Sequence, residues 1–271
     1  MTQGLRFSER LLTSAVLIAV TILILFSANA FVFGLEVTAF AALALFEFFT
    51  LLKREKVPVM RLFGVSMGVI IPLVVTMELG TTHSGEVLFL VLGCLFLFIL
   101  KFFHDTNQSL IGISLTLFGI LYNSWFLSFL IKIRFLEGGA LWVLYLLAVT
   151  KAGDIGAYLV GSLFGRHTLI PHISPKKSVE GSLGGLGASL GASVALKDIL
   201  PLHFIFSHIL ILGFLIGVVG QIGDLSESLM KRFCRSKDSG NLLPGFGGVL
   251  DAVDSILFTA PIFYFHLKIY L

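Results

Sequence analysis

In QIGDLSESLMKR, residues 221–232, Asp224, Ser228 and Lys231 recur at i, i+4 and i+7. A helix would therefore carry a carboxylate, a hydroxyl and an ammonium along one face. Asp238, preceded by Lys237, follows seven residues after Lys231, and Asp251 and Asp254 then stand at i and i+3, again on one helical face. Between them Gly240, Pro244, Gly245, Gly247 and Gly248 mark a tight loop built for close approach. Carboxylates from two helices at one place suit a hard divalent cation, which takes oxygen ligands. Lysines and arginines beside them suit phosphate oxygens. Such charges can also pair with one another or hold anionic lipid headgroups. A metal-plus-polyphosphate site accounts for both signs of charge and for the glycines, and phosphoryl or nucleotidyl transfer needs those parts.

A second polar cluster lies upstream in KAGDIGAYLVGSLFGRHTLIPHISPKKSVEG, which holds Lys151, Asp154, Tyr158, Arg166, His167, Lys176, Lys177 and Glu180. Two such polar stretches on one membrane face could close over a nucleotide. Gly181, Gly184, Gly185, Gly187 and Gly191 follow. Their spacing fits close helix packing through small residues. No Gly-rich loop ends in Lys-Ser or Lys-Thr, so this is not a P-loop.

The elements that must position these residues are membrane helices. The chain has 271 residues, 56% of them hydrophobic and only 13% charged, where a soluble domain carries roughly 25% charged residues. Apolar runs recur from end to end, and about 20 residues cross a bilayer core as a helix. No stretch alternates as a barrel strand would, which leaves an all-α, polytopic integral membrane fold. Nine spans are expected, at 11–33, 34–52, 59–79, 85–103, 109–131, 138–164, 179–197, 204–230 and 250–271, the first two parted near Ser27-Ala28-Asn29 and Gly34. The first span is too long for a removable signal peptide and lacks a small-residue cleavage site, so it is expected to stay. With the N-terminus in the cytoplasm, fourteen Lys and Arg fall inside and four outside, Lys132 and Arg134 being the main exception.

The formal charge of +3 is too small to point to nucleic acid, since topology accounts for most of the basic residues. Cys94 lies in a span and Cys234 in a cytoplasmic loop, so they cannot pair. Residues 1–135 are almost purely apolar and read as packing and lipid-facing helices. Within them Glu47 and Asn123 are isolated polar residues that read as helix contacts, and His83 and His104 have no metal-ligand partner. Residues 136–271 carry the ionisable groups at bilayer depth, where a charge costs at least a few kcal/mol and marks a working site. The expected organisation is a hydrophobic N-terminal half, 1–135, and a catalytic half, 136–271.

The run S-x-M-K-R-x4-K-D-x-G-x2-L-P-x-F-G-G-V-x-D-A-V-D, Ser228 to Asp254, resembles the signature of the phosphatidate cytidylyltransferases, also called CDP-diacylglycerol synthases. K-x2-D-x2-A-Y-x2-G-x2-F-G-x-H, from Lys151 to His167, is similar to that family's preceding span, and S-P-x-K-S-x-E-G, from Ser174 to Gly181, to its following loop. The resemblance covers about the last 120 residues. It implies transfer of a cytidylyl group from CTP to phosphatidate at the cytoplasmic face of the inner membrane, with Mg²⁺ alone or beside a second metal ion, in a homodimer. It further implies metal ligation by Asp224, Asp251 and Asp254, with Lys231 completing the catalytic set. Asp154, Tyr158, Lys177, Ser228, Arg232, Lys237 and Asp238 would bind substrate. The family pattern has His where this chain has Phe246 and Arg where it has Ala252, which removes a hydrogen-bonding ring and a phosphate fork.

Three other readings use the same residues. An ion-coupled transporter would place its charges near mid-membrane and repeat one half in the other, but the two halves look unlike. A phosphotransferase of the CDP-alcohol type would carry D-G-x2-A-R, which is absent. A non-catalytic lipid-binding or impaired family member is the reading that Phe246 and Ala252 support.

Overall fold

The computed structural model describes residues 2–27, 29–77, 85–101, 106–201, 204–245 and 247–270. His83, His104 and Phe246 lie outside the described residues. The helices are α1 Thr2–Ser27, α2 Ala30–Arg54, α3 Arg61–Met77, α4 Gly85–Lys101, α5 Thr106–Gly119, α6 Phe126–Arg134, α7 Gly139–Phe164, α8 Val179–Ala195, α9 Phe206–Phe233 and α10 Val249–Tyr270. A π-helical turn, Ile120–Trp125, joins α5 to α6. The expected all-α architecture holds, with one addition: β1 Thr168–Ile170 and β2 Ser174–Ser178 pair antiparallel between α7 and α8. By length and composition, 30–54, 108–134, 139–164, 206–233 and 249–270 can each cross a membrane. The apolar stretches in α1, α3 and α4 are shorter.

The chain divides into two compact units, Met1–Phe135 with Asp238–Ala252, and Leu136–Lys237 with Val253–Leu271. The glycine-rich loop and the first turn of α10 thus fold with the N-terminal helices.

In the first unit, the first two apolar segments part at Asn29, whose Oδ1 accepts the Val32 N–H at 3.1 Å and caps α2. Gly64 and Gly68 of α3 leave sockets that Phe49 and Leu45 of α2 fill. Ser124, in the π turn, donates to the Gly68 carbonyl at 2.7 Å, and Asn123 Nδ2 donates to the Gly119 carbonyl at 3.0 Å. These bonds satisfy polar groups where hydrocarbon offers no partner. Lys132 pairs with the buried Glu86, and Arg134 donates to the Leu25 carbonyl at 3.3 Å. α4 turns Leu88, Val91, Leu92, Leu95 and Ile99 outward, as a helix facing lipid does.

In the second unit, α7, α8 and α9 pack through small residues and hydroxyls. A Cβ on Gly185 would lie 2.9 Å from the Gly153 carbonyl oxygen, and one on Gly156 would meet Ala188 and the Gly184 carbonyl. Gly181, Gly184 and Gly185 therefore serve close packing, as their spacing suggests. Gly187 and Gly191 are exposed, with open space where a Cβ would go. Tyr145 and Ser193 hydroxyls meet at 2.5 Å, Ser193 donates to the Ile209 carbonyl at 2.7 Å, and Gln221 Nε2 donates to the Ser182 carbonyl at 2.9 Å. His208 and His266 face each other Nε2 to Nε2 at 3.1 Å, joining the start of α9 to the end of α10.

Gly156→Leu is expected to force α7 from α8 and destabilise the protein by about 1–3 kcal/mol, the cost of overpacking. Gly187→Leu is expected to stay within about 0.5 kcal/mol. Thermal unfolding of the two purified variants in one detergent checks the contrast.

Candidate active site

Three helices and the hairpin of the second unit bring the polar residues together. α7 contributes Lys151 and Asp154, α9 contributes Asp224, Glu227 and Lys231, α10 contributes Asp254 and Ser255, and β2 contributes Lys177. Carboxylate oxygens of Asp224, Glu227 and Asp254 lie within 4.8 Å of one another. Glu227 is fully buried, Asp254 is buried and Asp224 is half-buried. Gly223 permits this approach, because a Cβ there would lie 2.6 Å from the Asp254 carbonyl oxygen.

Cations interlock with these acids. Lys177 Nζ lies 2.6 Å from Asp224 Oδ2, and Lys231 pairs with Glu227 one turn away on α9. Lys151 Nζ donates to Asp154 Oδ2 at 2.9 Å and to Ser255 Oγ at 3.1 Å, while Ser255 Oγ donates to Asp154 Oδ2 at 2.9 Å. Ser255 N–H donates to Asp254 Oδ1 at 2.6 Å. The result is a network of like and opposite charges in which each acid has a basic or hydrogen-bonding neighbour. Three hard carboxylates converging within 4.8 Å fit the donor set of a magnesium-type cation.

The remaining expected site residues divide. Ser228 is buried on α9, whereas Tyr158 is 67% exposed one turn beyond Asp154 on α7. Arg232 is exposed, donating from Nε to the Ile173 carbonyl at 3.0 Å and so anchoring the hairpin turn. Lys237 and Asp238 are exposed in the loop after α9.

Asp251 is held by the loop that precedes α10. In the first unit its Oδ2 accepts from Ser239 N–H at 2.9 Å, Ser239 Oγ at 2.8 Å and Gly248 N–H at 2.8 Å. It closes the loop onto the first turn of α10, the ordinary work of an acid at a helix N-terminus. Leu243 and Gly247 exchange backbone hydrogen bonds at 3.0 Å, closing the loop tip. Gly245 and Gly247 take φ of +75° and +106°, which a side chain would resist. Ala252 stands half-buried beside Asp251.

Sequence reasoning did not count Glu227 or Ser255 among the site residues. Glu227 had a legible signal, since it stands at i+3 from Asp224 and i−4 from Lys231. Ser255 is an ordinary serine until Lys151 and Asp154 are folded against it. Glu47, expected as a helix contact, is one: it accepts hydrogen bonds from the Leu250 N–H of α10 at 2.9 Å and from Ser239 Oγ at 3.2 Å.

Comparison with known proteins gives the family of the chain. The model of the cytidylyltransferase family matches residues 8–270. A phosphatidate cytidylyltransferase of Synechocystis is 36% identical over 212 residues, 68% of this chain and 72% of that protein. One of Bacillus subtilis is 41% identical over 143 residues, 52% of this chain and 53% of that protein. The uncharacterized protein YnbB of Escherichia coli is 40% identical over 168 residues, 62% of this chain and 55% of that protein. The last two matches thus span about half of each relative's length. With a family match running over nearly the whole chain, the protein belongs to the cytidylyltransferase family.

Proposed function

We propose that this membrane protein is a phosphatidate cytidylyltransferase, making CDP-diacylglycerol and pyrophosphate from CTP and phosphatidate. The observation that carries the reading is the cluster of Asp224, Glu227 and Asp254 interlocked with Lys177 and Lys231 in a chain of this family. Two relatives named phosphatidate cytidylyltransferase, at 36% and 41% identity, supply the substrate class.

Phosphatidate already carries an anionic phosphate at neutral pH, so its oxygen needs no strong base to act as nucleophile. That oxygen attacks the α-phosphorus of CTP in line; the new P–O bond forms as the bond to the bridging oxygen of the β-phosphate breaks, and pyrophosphate leaves with the electron pair. Lys177 and Lys231 would hold phosphate oxygens of the triphosphate, and Lys151 would hold Asp154 and Ser255 in line. Asp224, Glu227 and Asp254 would hold Mg²⁺, which when bound neutralises charge on the polyphosphate. Asp251 enters with its Oδ2 already committed to the α10 cap, so its substitution touches loop and turnover together. Ser228, Arg232, Lys237, Asp238 and Tyr158 are proposed around the substrates.

The membrane reading extends the same way. We place nine spans with the N-terminus and the site on the cytoplasmic side of the inner membrane, and a homodimer as the working form. Lys132, the main exception to the charge bias, is paired with Glu86 and so weighs less against this orientation.

Labelled CTP incubated with phosphatidate and the purified protein is expected to yield chloroform-soluble product that requires Mg²⁺ and vanishes with EDTA. No product would overturn the reading for this chain, unless Ala252→Arg with Phe246→His restores it, which would identify an impaired member of the family. Asp224→Asn and Asp254→Asn are each expected to lower turnover by about 10³-fold, several kcal/mol of charge stabilisation, with the fold retained by circular dichroism.

A further inference from the structure

Glu47 lies in α2, in the half of the chain that shows no motif, and its side chain is only 3% exposed. A carboxylate at such depth costs free energy unless it does something that holds it there. Its Oε2 accepts the Leu250 N–H at 2.9 Å, one of the backbone donors that the first turn of α10 leaves without a partner in the helix. The same oxygen lies 3.2 Å from Ser239 Oγ, which also lies 2.8 Å from Asp251 Oδ2. One hydroxyl proton is thus shared between two carboxylates that are 204 positions apart in the chain.

The loop glycines are shaped around this group. A Cβ on Gly240 would lie 2.7 Å from Glu47 Cδ, and one on Gly248 would lie 2.8 Å from it. Neither position has φ in the left-handed region: the Glu47 carboxyl excludes a side chain at Gly240, and Ser239 Oγ together with that carboxyl excludes one at Gly248. Gly240 of the signature is therefore explained by a residue outside it, and Gly248 by that residue together with the serine it contacts.

We propose that Glu47 is a positioning residue for the signature loop: through Ser239 and the Leu250 N–H it fixes Asp251 and the start of α10, and it touches no substrate. Only the kinetic part of this inference rests on the cytidylyltransferase reading above.

The test uses the full chain in detergent, with Glu47→Gln and Glu47→Ala compared by hydrogen exchange and by steady-state kinetics. Glu47→Ala is expected to speed amide exchange across 239–250 by at least about tenfold, while α8 and α9 keep their protection. Glu47→Gln keeps an oxygen that can accept the Leu250 N–H, so its exchange should lie between the two. In the assay, Glu47→Ala should lower kcat by about 10²-fold with KM for CTP changed by less than about threefold, and Glu47→Gln should recover much of it. Ser239→Ala added to Glu47→Ala should cost no more than the worse single change, because both act through one hydroxyl. Unchanged exchange at 239–250 in Glu47→Ala, or additive losses in the double variant, would overturn the proposal. A wild-type protein that makes no CDP-diacylglycerol would refute the activity, and the exchange result would still decide the role of Glu47.

Discussion

A charge carried on an apolar helix has to find its partner inside the protein, because hydrocarbon supplies none. In this chain that constraint shapes both compact units. Lys151 is held by Asp154 and Ser255, Lys177 by Asp224 and Lys231 by Glu227, in pairs that tie α7, α9, α10 and β2 of the second unit together. Glu86 and Lys132 do the same between α4 and α6 in the first unit. In the second unit the pairs that satisfy the helices are also groups whose chemistry suits a metal and a polyphosphate.

Close approach of backbones is the second condition. Gly153, Gly156 and Gly185 let α7 and α8 come near enough for Ser189 to donate to the Val149 carbonyl at 3.2 Å. Gly223 does so for α9 against α10, and without it Asp224 and Asp254 could not share one cluster. In the first unit, Gly240 and Gly248 make room for a buried carboxylate. The glycines thus serve three different partners: a neighbouring helix, a neighbouring backbone turn and a side chain.

The two carboxylates of the α10 start, Asp251 and Asp254, show how identical residues acquire different work. Both sit on one helical face, three residues apart. Asp251 accepts backbone and hydroxyl protons from the loop that precedes the helix. Asp254, a turn deeper, is buried beside Asp224 and Glu227. Depth along the helix gives the two carboxylates different partners.

Much of this was legible in the sequence, because hydropathy and helical period are local properties. The apolar stretches and the break beside Asn29 follow from composition and a capping residue. The signature from Ser228 to Asp254 pointed to the family that the comparisons then showed. The pairing at a distance was not legible: nothing near Glu47 announces Ser239 and Leu250, and nothing near Ser255 announces Lys151. The β1–β2 hairpin was hidden as well, since five residues of SPKKS carry no alternation strong enough to mark a strand. The sequence by itself determined the class of the protein, the family and the stock of acids and bases available for chemistry. Tertiary structure alone decided which of them meet, because Lys151 finds Ser255 104 positions away and Glu47 finds the Leu250 N–H 203 positions away.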